Sequence, residues 1–459
     1  MAKRVKSGEV SPVALAELML ARIAGLDGQL NSYQTVMAEQ AMAAARAAED
    51  AIGAGTYLGP LHGIPIAVKD LFFTAGVVTK SGVAARSGFV PDHDATVVQK
   101  LKQAGAIILG KLNLTEGALN GYHPDFRIPV NPWNADYSTS GSSSGSGVAT
   151  AAGLCFASLG TDTGGSIRNP SSASGVVGLK PTYGRVSRQG VFVLAESLDH
   201  VGPMTRYVTD AAIMFEAMAG HDPQDTTSLA DPVPSLTTAL DGNIAGMKVG
   251  FDPQYALDGV NSDIAAALES ALDMFRASGA EIVDMEMPAF GLDEFMMWVE
   301  ICAYEAVRAH RDTYPSQADS YGASFGGFLE FGLGVTDELF ARRLVQMRAY
   351  GQAVELALTS VDGLVCPSGH EPGLASNDTG YGGLVIPSDE AVAATFRFAF
   401  PVNFAGIPSL TVPAGFTDAG APFGMQIIGK RLNEPELVRL GFAFEQAAGL
   451  SGRHPDLGL

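Results

Sequence analysis

The residues with the clearest chemical potential are serines, glycines and one lysine, gathered in three stretches of a 459-residue chain. Gly160-Thr161-Asp162-Thr163-Gly164-Gly165-Ser166-Ile167-Arg168 places a serine directly after two glycines. Without a Cβ, glycine lets backbone N–H groups come close to a reacting carbonyl, and several converging N–H groups would stabilise an oxyanion. Lys69 ends the apolar run Ile64-Pro65-Ile66-Ala67-Val68. Desolvation at the end of a buried strand would depress its pKa toward a base usable near neutrality. Gly141-Ser142-Ser143-Ser144-Gly145 matches a GxSxG nucleophile elbow, with Ser143 as the nominal nucleophile of an α/β-hydrolase-type esterase. That elbow needs an apolar strand directly before it, and Asp136 to Ser140 are polar and turn-like. Each stretch also has a plainer reading. A lysine at a strand end is ordinarily solvated, and Gly-Gly-Ser is ordinarily a turn.

Other chemistries are poorly supplied. The eight histidines are scattered, with no HExxH and no tight His/Asp cluster, so no metal is expected. Gly105 to Lys111 nearly fits a phosphate-binding loop, but Leu112 stands where a magnesium-binding Ser or Thr is required, and Ala106 to Leu109 read as a strand. No cofactor is expected. Cys155, Cys302 and Cys366 lie far apart in apolar stretches and read as buried reduced thiols, which permits the cytoplasm as the expected location. With 49 acidic and 29 basic residues the net charge is −20, which argues against a nucleic-acid partner. Ser7, Gly8 and Glu9 stand where a signal peptide would be apolar, and the uncharged runs 138–161 and 398–416 are broken by Ser/Gly or proline. Neither a signal peptide nor a membrane partner is expected.

The elements that would position these stretches follow from apolar periodicity. A hydrophobic fraction of 47% with 17% charged residues excludes a disordered chain. Ser11-Pro12 opens an amphipathic helix, and an alanine-rich helix covers about 36–52. Strands are expected at 64–68 and 106–109 around a helix near 94–104, then at 248–251, 280–285, 363–366, 409–412 and 424–428. Further helices are expected at 262–278, within 292–312 and 336–359, and at 434–448, with turn-rich segments at 222–245 and 367–390. The Ser/Gly tract 138–147 sits inside one apolar region, so it reads as part of the fold rather than a linker. This alternation indicates an α/β protein.

Taken together, the three stretches resemble the amidase signature family. The resemblance rests on Gly63 to Asp70, on Asn131-Pro132-Trp133-Asn134 with the Ser/Gly tract, and on Gly160 to Arg168 with Gly175 to Thr182. Ser197-Leu198-Asp199, Val201-Gly202-Pro203-Met204 and Gly406-Ile407-Pro408 extend it over the whole chain. It implies a large mixed β-sheet covered by helices on both faces, forming a single domain over 1–459. Within it lie an N-terminal helical segment (about 8–55), a signature core (about 60–215) and a variable pocket region (about 290–390). It implies a Ser–cis-Ser–Lys triad: Ser166 as nucleophile, Ser142 as bridging serine after a cis Gly141–Ser142 bond, and Lys69 as base. The backbone of Thr163, Gly164, Gly165 and Ser166 would form the oxyanion hole. The family tract usually reads Gly-Gly-Ser-Ser-Gly-Gly-Ser; here Ser140 and Ser144 replace two glycines, so any left-handed backbone angle at either position would be strained.

The implied activity is hydrolysis of small-molecule amides, aryl or small acyl, and of esters or carbamates through the same tetrahedral chemistry. It would rise toward alkaline pH and need no metal. The substrate pocket is expected from segments near 115–137, 298–333 and 368–390. Tyr122, Trp298, Tyr304 and Phe325 are its candidate residues, alongside Phe126, Tyr321 and Phe328, any of which could instead fill the core. The enzyme would act as a monomer or homodimer. A second reading is the glutaminase component of a tRNA-dependent amidotransferase, which needs a partner subunit and a polar pocket. A third, an inert binding protein on the same fold, is disfavoured because all three triad positions are filled.

Overall fold

The computed structural model describes residues 1–377 and 387–458. Among these, eleven strands join into one mixed sheet: β1 (Tyr33–Val36), β2 (Pro65–Lys69), β3 (Ile107–Leu112), β4 (Ala157–Asp162), β5 (Val177–Lys180), β6 (His200–Thr205), β7 (Lys248–Phe251), β8 (Glu281–Asp284), β9 (Gly363–Pro367), β10 (Ser409–Phe416) and β11 (Pro422–Ile428). Their spatial order is β1-β3-β2-β4-β6-β5-β10-β11-β9-β7-β8. Strand β2 runs parallel to both β3 and β4, so the lysine and the nucleophile loop leave neighbouring strands at the same edge. The remaining pairs from β4 through β9 are antiparallel, and β7 is parallel to β8 and β9.

Continuous apolar strands arise because the sheet is buried on both faces. Along β2, Ile66 and Val68 enter the main core, whereas Ala67 enters a second core under the helices Pro12–Leu30 and Ala38–Gly53. Along β3, Ile108 faces the first core and Ile107 and Leu109 the second. The first of those helices starts as its sequence dictates, with the Ser11 side chain accepting from the Ala14 N–H and Pro12 at the first helical position.

The near phosphate-binding loop is strand β3. Lys111 is fully buried, with Nζ 3.4 Å from Asp70 Oδ1. The three cysteines are buried and free, as expected. No helix among the described residues is long and apolar enough to cross a membrane.

Several elements escaped the periodicity reading. β1 is a four-residue strand where the second helix was expected to begin, and β4, β5 and β6 carry Gly, Ser, Thr or Pro among their apolar residues. The glycines have a packing reason. A Cβ at Gly160, Gly178 or Gly202 would lie 3.0–3.1 Å from the Ile167 side chain, so three neighbouring strands make room for the residue after Ser166. The helices Val208–Met218 and Ala323–Leu333 also went unrecognised, and part of the turn-rich 367–390 segment is the start of the helix Asp389–Phe396. Residues 378–386 of that segment lie outside the described residues.

Candidate active site

Lys69 closes β2 with its side chain wholly buried. Its Nζ donates to three hydroxyls, Ser142 Oγ at 2.8 Å, Thr161 Oγ1 at 2.9 Å and Ser143 Oγ at 3.0 Å. Burial drives its pKa from 10.5 down to about 7, with the charges of Asp199 and Asp162 pulling the other way. The result is a dry amine in equilibrium with its charged form near neutrality.

Two backbone features hold the serine tract around it. The Gly141–Ser142 peptide is cis, and the Thr115 N–H donates to the Ser142 carbonyl at 3.3 Å. Ser143 then leads into the helix Ser144–Ala151, which is buried along its whole length. Ser143 cannot be an elbow nucleophile. It is fully buried, its Oγ donates to the Thr161 carbonyl at 3.2 Å and accepts from the Thr161 N–H at 3.3 Å, and it also holds Lys69. The GxSxG reading is overturned by this saturation.

The departures from the usual glycine tract behave differently. Ser140 adopts φ 58°, a left-handed angle that strains an L-residue, whereas Ser144 opens a helix at an ordinary angle.

Ser166 sits at the mouth of this arrangement, 9% exposed. The Ser143 N–H donates to the Ser166 carbonyl at 3.3 Å, which ties the serine tract to the nucleophile loop. Among the described residues no hydrogen bond joins Ser166 Oγ to Ser142 Oγ. Contacts of this kind commonly tighten only when substrate is bound.

Asp162 organises the loop from inside. Its carboxylate pairs bidentately with Arg168, from Nε and Nη2 at 3.0 Å each, and accepts the N–H groups of Gly165 at 2.8 Å and Ile167 at 3.1 Å. Although burial opposes ionisation, Arg168, Lys180 and Asn403 hold the carboxyl well below the usual range. This corrects the expected oxyanion hole. The Gly165 N–H is committed to Asp162, while the N–H groups of Thr163, Gly164 and Ser166 have no acceptor among the described residues. Thr163 is steadied through its hydroxyl, which donates to Asp199 Oδ1 at 2.6 Å.

The aromatic residues named for the pocket are almost all buried. Phe325 is fully buried and packs against Gly117, where a Cβ would meet its ring at 2.1 Å. Tyr304 donates to Asp337 Oδ1 at 2.8 Å and stacks on Phe340, so it joins two helices. Trp298 is 8% exposed, and its Nε1–H donates to the Thr163 carbonyl at 2.9 Å. Tyr122, Tyr321 and Phe328 are buried as well, while Phe126 is half-buried beside His123. A cavity with a mixed polar and apolar lining opens beside Ser140 and Asn169. It measures about 390 Å³, is lined by Asn131, Ser140, Asn169, Ser172 and Ser368 among others, and so draws on the first and third expected segments but not on 298–333.

Thr161, Asp162 and Asp199 went unassigned in the sequence reading although all three lie in the quoted motifs. Thr161 and Asp199 act through partners on another strand or loop, Lys69 and Thr163, which spacing along the chain does not reveal, whereas Asp162 acts mainly within its own loop on Gly165, Ile167 and Arg168. Among the described residues no group of three or more His, Cys, Asp or Glu is placed to hold a metal ion.

Comparison with known proteins gives a consistent picture. A family model described as Amidase matches residues 14–438. The chain is 40% identical over 469 residues to a glutamyl-tRNA(Gln) amidotransferase subunit of Geobacter metallireducens, covering 97% of this chain and 95% of that one. It is also 40% identical over 462 residues to a putative amidase, AmiD, of Mycobacterium bovis, covering 99% of this chain and 94% of the other. The crystal structure of a bacterial aryl acylamidase of the amidase signature family superposes with a TM-score of 0.87 at 25% identity, covering 98% of this chain and 97% of that one.

Proposed function

The chain belongs to the amidase signature family of C–N bond hydrolases, and from that premise we propose that Ser166, Ser142 and Lys69 carry out acyl transfer from a small amide to water. The observation that carries this reading is the dry Lys69 amine, 2.8 Å from Ser142 Oγ with a pKa near 7. Neutral Lys69 takes the Ser142 proton through its nitrogen lone pair. Ser142 takes the proton of Ser166 as Ser166 Oγ bonds to the carbonyl carbon. The carbonyl oxygen, now an anion, lies against the free N–H groups of Thr163, Gly164 and Ser166. The proton returns along the same relay to the amide nitrogen, the C–N bond breaks and the amine leaves. Water then attacks the acyl-serine ester by the same proton path, releasing a carboxylic acid and restoring Ser166.

Aryl and small acyl amides are the proposed substrates, with esters and carbamates accepted through the same intermediate. The aryl acylamidase likeness supports the aryl class. The single domain over 1–459, the cytoplasmic location and the monomer or homodimer state belong to the same proposal. A second reading, glutamine hydrolysis within an amidotransferase complex, is favoured by the 40% identity to the Geobacter amidotransferase chain.

Both readings are separated by assay. Ser166→Ala is expected to abolish hydrolysis across a panel of chromogenic anilides, and activity retained in that variant overturns the nucleophile. Glutaminase activity that emerges only with a partner subunit, with the anilides untouched, would establish the second reading over the first.

A further inference from the structure

A planar trans peptide fixes its C=O and the following N–H in opposite directions, so whatever holds a carbonyl also aims the next residue's N–H. Applied to the nucleophile loop, this rule identifies what sets each free donor. The Ser166 N–H is aimed by the Gly165 carbonyl, which accepts from the Asn169 N–H at 2.7 Å within the same turn. The Thr163 N–H is aimed by the Asp162 carbonyl, which lies 3.1 Å from Asn403 Nδ2 and 3.2 Å from His200 Nδ1. The Gly164 N–H is aimed by the Thr163 carbonyl, and among the described residues that carbonyl has one partner, the indole N–H of Trp298 at 2.9 Å.

Trp298 is itself held in place. Its ring stacks on Phe400 at 4.4 Å and 19°, and Phe400 stacks in turn on Phe295 at 6.0 Å and 9°. The stack presses directly on the loop, because a Cβ at Gly164 would lie 2.7 Å from the Phe400 ring and 3.0 Å from Trp298 Nε1. Gly164 is thus required for space, and the indole reaches the loop from a helix, Leu292–Ala309, far along the chain.

We propose that Trp298 is a positioning residue of the oxyanion hole, orienting the Gly164 N–H through the Thr163 carbonyl rather than contacting substrate. The proposal rests on the acyl-transfer reading of Ser166. Its mechanism is specific. Without the indole N–H the Thr163–Gly164 peptide is free to rotate, and a donor that rotates stabilises the transition state less while leaving ground-state binding nearly intact.

Trp298→Phe keeps an aromatic ring against Phe400 and removes the N–H. On an anilide substrate it is expected to lower kcat about tenfold with KM within about twofold, since outright removal of an oxyanion donor costs about 10²–10³-fold. Affinity for a trifluoromethyl ketone analogue, which forms the tetrahedral oxyanion on Ser166, should fall by the same factor as kcat/KM. Affinity for a non-reacting carboxamide inhibitor should not move. Replacement of Trp298 by benzothienylalanine, which keeps the bicyclic ring with sulfur in place of N–H, repeats the test with minimal change of shape if the phenylalanine variant fails to fold. A kcat within twofold of the parent, or a loss carried by KM and by the carboxamide inhibitor, overturns the proposal. Ser166→Ala assayed in parallel separates the two levels. Activity surviving that substitution overturns the acyl-transfer reading itself, whereas an inactive Ser166→Ala beside an unaffected Trp298→Phe overturns only the role of Trp298.

Discussion

Two fully buried lysines end up on adjacent parallel strands, Lys69 on β2 and Lys111 on β3, and their surroundings make them opposites. Lys111 lies 3.4 Å from the Asp70 carboxylate and donates to the Phe72 carbonyl at 2.5 Å and Thr79 Oγ1 at 2.8 Å. Burial lowers its pKa to about 8, with Asp70 pulling the other way, and its charge has a counterion in contact. Lys69 touches only hydroxyls, and its pKa falls to about 7. A carboxylate in contact makes a buried lysine a structural ion, whereas hydroxyls in contact leave it free to trade a proton. Burial alone therefore does not mark a base; the chemistry of the nearest partner does.

The sharpest way to break this contrast is to delete each amine. Lys69→Met is expected to reduce kcat by about 10³-fold or more, with the melting temperature preserved or raised because an uncompensated buried amine is gone. Lys111→Met should do the reverse. It leaves Asp70 buried without its counterion and is expected to cost about 3–5 kcal/mol of stability, seen in denaturant melts, while folded enzyme keeps its kcat. If Lys111→Met instead silences folded enzyme, the two lysines do not divide the work as their partners indicate.

A gentler test reads the Lys69 proton directly. In the proposed relay the neutral amine is the active form, so kcat/KM should rise as pH passes about 7 and level off above it, losing activity on the acid side as Lys69 gains its proton. Thr161→Val removes one hydroxyl that accepts from the ammonium and so disfavours the charged form. The acid limb should move to lower pH by roughly 0.5–1 unit, as the loss of one net hydrogen bond of about 1 kcal/mol implies. A shift to higher pH would contradict the hydroxyl cage. The smallest effect belongs to Ser140, which contacts neither lysine. Ser140→Gly relieves its left-handed angle and is expected to add about 1 kcal/mol of stability in a thermal or denaturant melt, with the pH profile unmoved.

Legibility of the molecule followed the range of the interactions involved. Helix Pro12–Leu30 was readable because its cap, its proline and its apolar stripe are all local. Strands β2 and β3 were readable as apolar runs, since both sides of each meet a core. Strands β4, β5 and β6 were not, because glycines that admit Ile167 from a neighbouring segment interrupt their pattern. The motif stretches around Lys69, Ser142 and Ser166 were likewise visible as short-range patterns, and the departure at Ser140 correctly flagged a strained backbone position.

The sequence by itself determined the α/β class and the positions proposed for acyl-transfer chemistry, and it holds no competing histidine, cysteine or phosphate-loop motif. Only the tertiary structure decided which partners surround them. It made Ser143 a buried ligand of Lys69, turned the Gly165 N–H toward Asp162, and seated Trp298, Tyr304 and Phe325 against the Thr163 carbonyl, Asp337 and Gly117. The reason is physical. A residue's type and spacing set which bonds it can make, but which partner it meets depends on strands and helices more than a hundred residues apart, as with the indole of Trp298 and the carbonyl of Thr163.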